Sequence, residues 1–214
     1  MIISQGRGYV FVHIPKTGGT AMALALEARA MKDDVMIGDT PKAIKRRRRV
    51  DTSRARGRVW KHSTLADIDG LFSVEELAGL FAFTLVRNPW DRVVSYYHWL
   101  REQSFDHPAV ALSKAHDFAG FLGQTQIQES LRASPYAQYM TRADGVEQCQ
   151  AYVRLEHLAE DLQPVEDHLR FRLEMPRANR SHRDGDYRAY YSDTTAQVIA
   201  EVCGDDISRF GYSF

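Results

Sequence analysis

The chain has 214 residues, and its 28 basic and 28 acidic side chains cancel. Such a length suits one domain with a substantial core, and the balanced charge excludes a whole-protein field that would draw nucleic acid or an acidic polymer. The two cysteines, Cys149 and Cys203, stand far apart in no ligand-like spacing, which excludes a disulfide framework or a zinc site and predicts two buried free thiols.

No apolar run approaches the roughly 20 residues that a membrane span needs, and the first residues lack a leader pattern. A soluble protein of a reducing, cytoplasmic compartment is expected. Residues 9–14, "YVFVHI", are apolar and short, and lead at once into Pro-Lys-Thr-Gly-Gly, which predicts a buried strand ending in a tight loop. From Thr20, "TAMALALEARAM" has high helix propensity. Ser73 and Glu76 form a capping box for a short helix. Residues 80–86 repeat the strand pattern, and Asn88-Pro89 then supplies an N-cap with proline at the first helical position and Asp91 in the first turn. Trp90, Val93, Val94, Tyr97 and Leu100 make the apolar face of that helix. Residues 106–142 are helical but weakly patterned. Residues 151–155 form a third strand, followed by a helix broken near Pro164. Residues 193–203 form the last helix, and "DISRFGYSF" an aromatic tail. Strands alternating with helices argue for an α/β fold with a mainly parallel sheet.

Residues 40–58, "TPKAIKRRRRVDTSRARGR", are basic, lack aromatics and suit no core. A solvated, mobile loop is the ordinary outcome for such a run. The sharper alternative is an electropositive surface for an anionic acceptor or a membrane, through residues 42–58.

Two stretches carry chemistry. In "HIPKTGGT" the backbone N–H groups of Thr17 to Thr20 converge at a helix N-terminus, which favours an anion. Gly18 and Gly19 permit close approach, and Lys16 adds a point charge. A nucleoside-triphosphate loop would need its lysine after the last glycine, and here Thr20 stands there. The second stretch, "LVRNPWDRVVSYYHW", places Arg87 at the C-terminal end of a strand, where open α/β sheets bind ligands. Ser95 follows Asn88 by two helical turns. Arginine and hydroxyl together can hold a second phosphate, whereas each alone would more commonly be a salt bridge and a surface hydroxyl.

The pairing of these stretches resembles the sulfotransferases that use 3′-phosphoadenosine 5′-phosphosulfate (PAPS), in particular the branch of carbohydrate O-sulfotransferases (sulfotransferase family 2) and their bacterial relatives. "YVRLEHLAEDL" and "YRAYYSDTTAQVIAEVCGDDISRFGYSF" look like the same branch, so that the resemblance touches most of the chain. It implies a single domain over residues 1–214 with a basic loop insertion at 40–58, in a P-loop-like, three-layer fold whose central, mainly parallel sheet is flanked by helices. It implies that Pro15, Lys16, Thr17, Gly18, Gly19 and Thr20 grip the 5′-phosphosulfate and that Arg87 and Ser95 grip the 3′-phosphate. By the same resemblance Asn179, Arg180, Ser181 and Arg183 would close over the nucleotide; read bare, they belong to a polar loop. PAPS would be the donor and PAP the product, with no metal required.

The resemblance further implies a catalytic base between the two motifs. His62 is the histidine that this segment offers, and an imidazole can accept a hydroxyl proton at neutral pH. Its plainer alternative is a surface or capping histidine, and for His13, in an apolar strand, a core histidine is expected. Lys16 would stabilise charge on the leaving phosphate oxygen, with Lys61 as an auxiliary cation. The acceptor would be a hydroxyl, or less readily an amine, of a saccharide, lipid head group or small metabolite. Two rival functions remain at this level: a kinase or nucleotide phosphohydrolase, and a non-catalytic nucleotide- or glycan-binding module.

Overall fold

A computed structural model describes residues 1–176 and 185–214. In chain order its strands are β1 (Ile2–Ser4), β2 (Tyr9–Val12), β3 (Val35–Met36), β4 (Phe81–Val86) and β5 (Ala151–Arg154). The helices are α1 (Gly19–Ala28), α2 (Pro41–Arg46), α3 (Val74–Ala78), α4 (Pro89–Arg101), α5 (Pro108–Ala115), α6 (Phe118–Leu122), α7 (Thr125–Arg132), α8 (Tyr136–Tyr139), α9 (Leu158–Asp161), α10 (Gln163–Leu169), α11 (Asp193–Val202) and α12 (Gly204–Phe210). They fall into two compact units: Met1–Val86 with the described part of Tyr136–Asn179, and Arg87–Pro135 with the described part of Arg180–Phe214.

The first unit holds the sheet, in the order β3-β1-β2-β4-β5. Strands β2, β4 and β5 pair in parallel, and β1 runs antiparallel to both its neighbours, so four of the five strands point one way. This is the α/β fold with a mainly parallel central sheet. Along β2 the side chains alternate between faces, as the twofold repeat of a strand requires: Tyr9 and Phe11 join one core with Met22 and Leu26 of α1 and Val165 and Leu169 of α10, while Val10 and Val12 join another with Leu65, Ile68 and Leu77. Each fully buried large apolar side chain contributes roughly 1.5–3 kcal/mol. Both faces being covered explains the continuous apolar runs of β2 and β4. Strands β1 and β3, three and two residues long, are too short to register as a pattern in the sequence. The β1–β2 hairpin turns through Gly8 at φ 66.

Residues 40–58 differ from the mobile loop expected. Thr40 caps α2 by accepting from the Ala43 nitrogen at 3.4 Å, Ala43 is buried, and 3-10 turns follow at Arg47–Arg49 and Thr52–Arg54. Three cations are turned inward onto carbonyls: Lys42 donates to Glu27 O, Arg46 to Met31 O and Asp34 O, and Arg49 to Lys32 O. These bonds tie the charged run to carbonyls at the end of α1 and along the α1–β3 connection, which is why it folds here.

In the second unit, Trp90, Val93, Val94, Tyr97 and Leu100 of α4 pack with Phe118, Phe121, Ile127, Ile199 and Val202, so the apolar face expected of α4 is the one buried. The weakly patterned 106–142 region resolves into short helices with their own starts, such as Asp117 accepting from the Gly120 nitrogen at 2.8 Å. The aromatic tail is in part a helix, α12, ended by Gly211 in the left-handed region. Cys149 and Cys203 are free but half-buried rather than fully buried, and burial pushes the Cys203 thiol up to about 11. No helix among the described residues is long and apolar enough to cross a membrane.

Candidate active site

The loop after β2 follows from its residues. Lys16 takes a left-handed φ of 66 and Gly18 one of 88, and α1 begins at Gly19 with Gly18 as its N-cap. The first intrahelical donor is Ala21, bonding Gly18 O at 3.0 Å. The N–H groups of Gly18, Gly19 and Thr20 lie ahead of it, at the positive end of a ten-residue helix with no acidic residue in its first turn. That arrangement fits an anionic phosphosulfate. Thr17 is fully buried and its hydroxyl donates to Ile14 O at 2.9 Å, so its side chain braces the loop.

Gly19 is required by packing. A Cβ there would lie 2.0 Å from His13 Cδ2. His13 is buried, as a core histidine, with its ring against the start of α1. Burial holds its pKa well below the ordinary imidazole value, with His62 and Lys61 adding repulsion.

His62 stands on the other side of His13. Its Nδ1 lies 2.7 Å from the His13 carbonyl oxygen, and the two rings meet edge to face at 4.6 Å. A carbonyl accepts and cannot donate, so Nδ1 carries the proton and Nε2 holds the lone pair. Burial pushes the His62 pKa down to about 4, offset in part by the bond to His13. His62 is therefore neutral at pH 7. Trp60 packs edge-on to its ring at 4.9 Å, and Arg58 covers Trp60. The adjacent Lys61 donates to Asp39 at 2.7 Å, which holds the Asp39 carboxyl below its usual range. A cavity of about 260 Å³ is lined by His13, Thr20, Leu24, Ile37, Asp39 and Lys61, among others.

Arg87 and Ser95 belong to the second unit. Arg87 donates through Nε to Asp91 at 2.8 Å, in an i,i+4 pair, and Ser95 is buried one turn further on. Asp91 and Ser95, four residues apart in α4, share one face, and Arg87, just ahead of the N-cap, reaches Asp91. The start of α4 is fastened by Asn88, which accepts from the Trp90 nitrogen at 3.1 Å and donates to Ser213 O at 2.9 Å. Asn179, Arg180, Ser181 and Arg183 lie outside the described residues. Among the described residues no group of three His, Cys, Asp or Glu side chains is arranged to hold a metal ion.

Sequence reasoning missed the parts played by Asp91, Asp39 and the His13 backbone. The four-residue spacing of Arg87 and Asp91 was a readable signal. The other two contacts join residues 22 and 49 positions apart and left none.

A model of the sulfotransferase family matches residues 1–213. The chain belongs to the sulfotransferase family. The sulfotransferase is thus an enzyme that takes a sulfuryl group from PAPS and leaves PAP. Kinase, phosphohydrolase and purely binding functions give way to it. Among solved structures, mouse sulfotransferase SULT7A1 complexed with PAP is similar at 14% identity over 94% of this chain and 84% of that one, with a TM-score of 0.46. A search of the curated proteins finds no match.

Proposed function

We infer that the sulfotransferase acts on a hydroxyl, or less readily an amine, of a saccharide, lipid head group or small metabolite, with His62 as general base. The observation that carries this assignment is the bond between His62 Nδ1 and the His13 carbonyl, which leaves a neutral imidazole with its lone pair on Nε2. PAPS supplies the sulfuryl group and a phosphate leaving group. His62 Nε2 takes the acceptor's proton, and Lys16 stabilises the charge that develops on the departing phosphate oxygen. Pro15 to Thr20 hold the 5′ end of the donor, and Arg87 and Ser95 its 3′-phosphate. Lys61 is left a secondary part, because its ammonium is engaged by Asp39.

The cavity beside Thr20 and His13, next in sequence to His62 through Lys61, is smaller than the roughly 300–1,000 Å³ of ordinary ligand sites and has apolar walls at Leu24 and Ile37. Those properties favour a compact acceptor group over a long polymer segment. The two free thiols are in keeping with a cytoplasmic enzyme.

His62→Ala tests the assignment. Transfer from PAPS should fall by about 10²- to 10⁴-fold while the thermal shift produced by PAP is kept. Full transfer activity in that variant would remove His62 from the base role.

A further inference from the structure

Residues 40–58 carry nine cationic side chains against the single carboxylate of Asp51, in a chain that is neutral as a whole. The fold sorts eight of these cations, and the ninth, Arg54, is exposed on the second 3-10 turn. Lys42, Arg46 and Arg49 are spent on backbone carbonyls, Arg56 reaches Ala143 O, and Arg58 lies over Trp60. Lys45, Arg47 and Arg48 are exposed and have no hydrogen-bond or ion-pair partner among the described residues. They lie on α2 and the 3-10 turn after it, where Ala43 is the buried residue.

Large apolar groups are exposed in and beside the same segment. Ile44 is 53% exposed and shares a face with Arg48, four residues on. Met31, 40% exposed, is tied to the segment through Arg46, and Trp60, also 40% exposed, adjoins Lys61, whose partner Asp39 feels the charge of Arg47. An aqueous polyanion would satisfy the cations but offer nothing to Ile44 and Met31. A bilayer with anionic head groups satisfies both, because cations meet phosphate while aliphatic and indole groups enter the interface.

We propose that the face formed by Ile44, Lys45, Arg47 and Arg48, flanked by Met31 and Trp60, docks the enzyme reversibly on an anionic lipid surface. This goes beyond the assignment of the active site and does not depend on it. Each unpaired cation should strengthen partitioning about fivefold, so the three together contribute on the order of a hundredfold. A single face of this kind gives a peripheral, salt-sensitive association.

The test is co-sedimentation of the full chain with vesicles of phosphatidylcholine, with and without phosphatidylglycerol, at low and high salt. Binding is expected only to the vesicles containing phosphatidylglycerol, and should weaken steeply with salt. The variant K45Q/R47Q/R48Q should lose it by on the order of a hundredfold, and Ile44→Asp should lower it several-fold, while both keep the PAP thermal shift as a check on folding. No binding to phosphatidylglycerol vesicles at low salt would overturn the proposal. So would binding that Ile44→Asp leaves unchanged and that dextran sulfate reproduces with equal affinity, since the face would then be a polyanion site.

Discussion

The Nδ1 atom of His62 lies 2.7 Å from the carbonyl oxygen of His13, whose own ring leaves no room for a Cβ on Gly19. One buried residue thereby touches both the start of α1 and the proposed base. Burial lowers the His62 pKa to about 4, so its base form is populated far below neutrality. The acid limb of kcat/KM for transfer should therefore be centred near pH 4, with no further change above it as far as His62 is concerned. A limb centred near the ordinary imidazole value of about 6.5 would contradict the buried setting.

The same burial has a consequence for stability. Both His13 and His62 have folded-state pKa values below the unfolded value of about 6.5, so the unfolded chain binds more protons as pH falls past that point. Their neutral forms cost nothing above about pH 7, and stability is lost as pH drops from about 6.5 toward 4. For His62 the loss should be on the order of 1–3 kcal/mol. Urea unfolding at a series of pH values would measure it, and His62→Phe should flatten the slope.

Gly19→Ala should be more damaging than its size suggests. The added methyl would lie 2.0 Å from His13 Cδ2 in a buried site, so either the ring or the helix start has to move. A loss of about 1–3 kcal/mol in stability is expected, together with weaker PAP binding by calorimetry. Thr20→Ala, one residue on and half-buried, should leave stability within about 0.5 kcal/mol.

At the start of α4 Asn88 accepts from the Trp90 nitrogen as N-cap and donates through its amide to Ser213 O and to the Tyr187 hydroxyl. Asn88→Ala removes the cap and both amide bonds and should cost about 2 kcal/mol, or roughly 4–8 °C in Tm. Asn88→Ser restores a capping oxygen without the amide donor and should recover about half. Equal losses in the two variants would show that the cap contributes nothing.

The strands β2, β4 and β5 and the helices α1, α4 and α11 were legible because each carries a complete local signal. An apolar run ends at Pro-Lys-Thr-Gly-Gly, Asn-Pro opens a helix, and Ser73 with Glu76 makes a capping box that forms as expected. Strands β1 and β3 were not legible, since two or three residues hold no period and only pairing, of β1 with β2 and of β3 with β1, makes them strands. Helix α2 was hidden by its charge: nothing local tells that Arg46 and Arg49 find carbonyls on residues 31–34.

By itself the sequence determined the α/β class, the tight loop between β2 and α1 and the family to which the chain belongs, because these rest on contiguous residues and on spacing along one helix or strand. Only the tertiary structure decided that His62 is held neutral with Nδ1 on the His13 carbonyl, that Lys61 is spent on Asp39, and that the cations of residues 40–58 divide into inward and outward sets. Those outcomes depend on contacts between residues distant in the chain and on burial that sets a pKa, and neither is encoded in any short stretch.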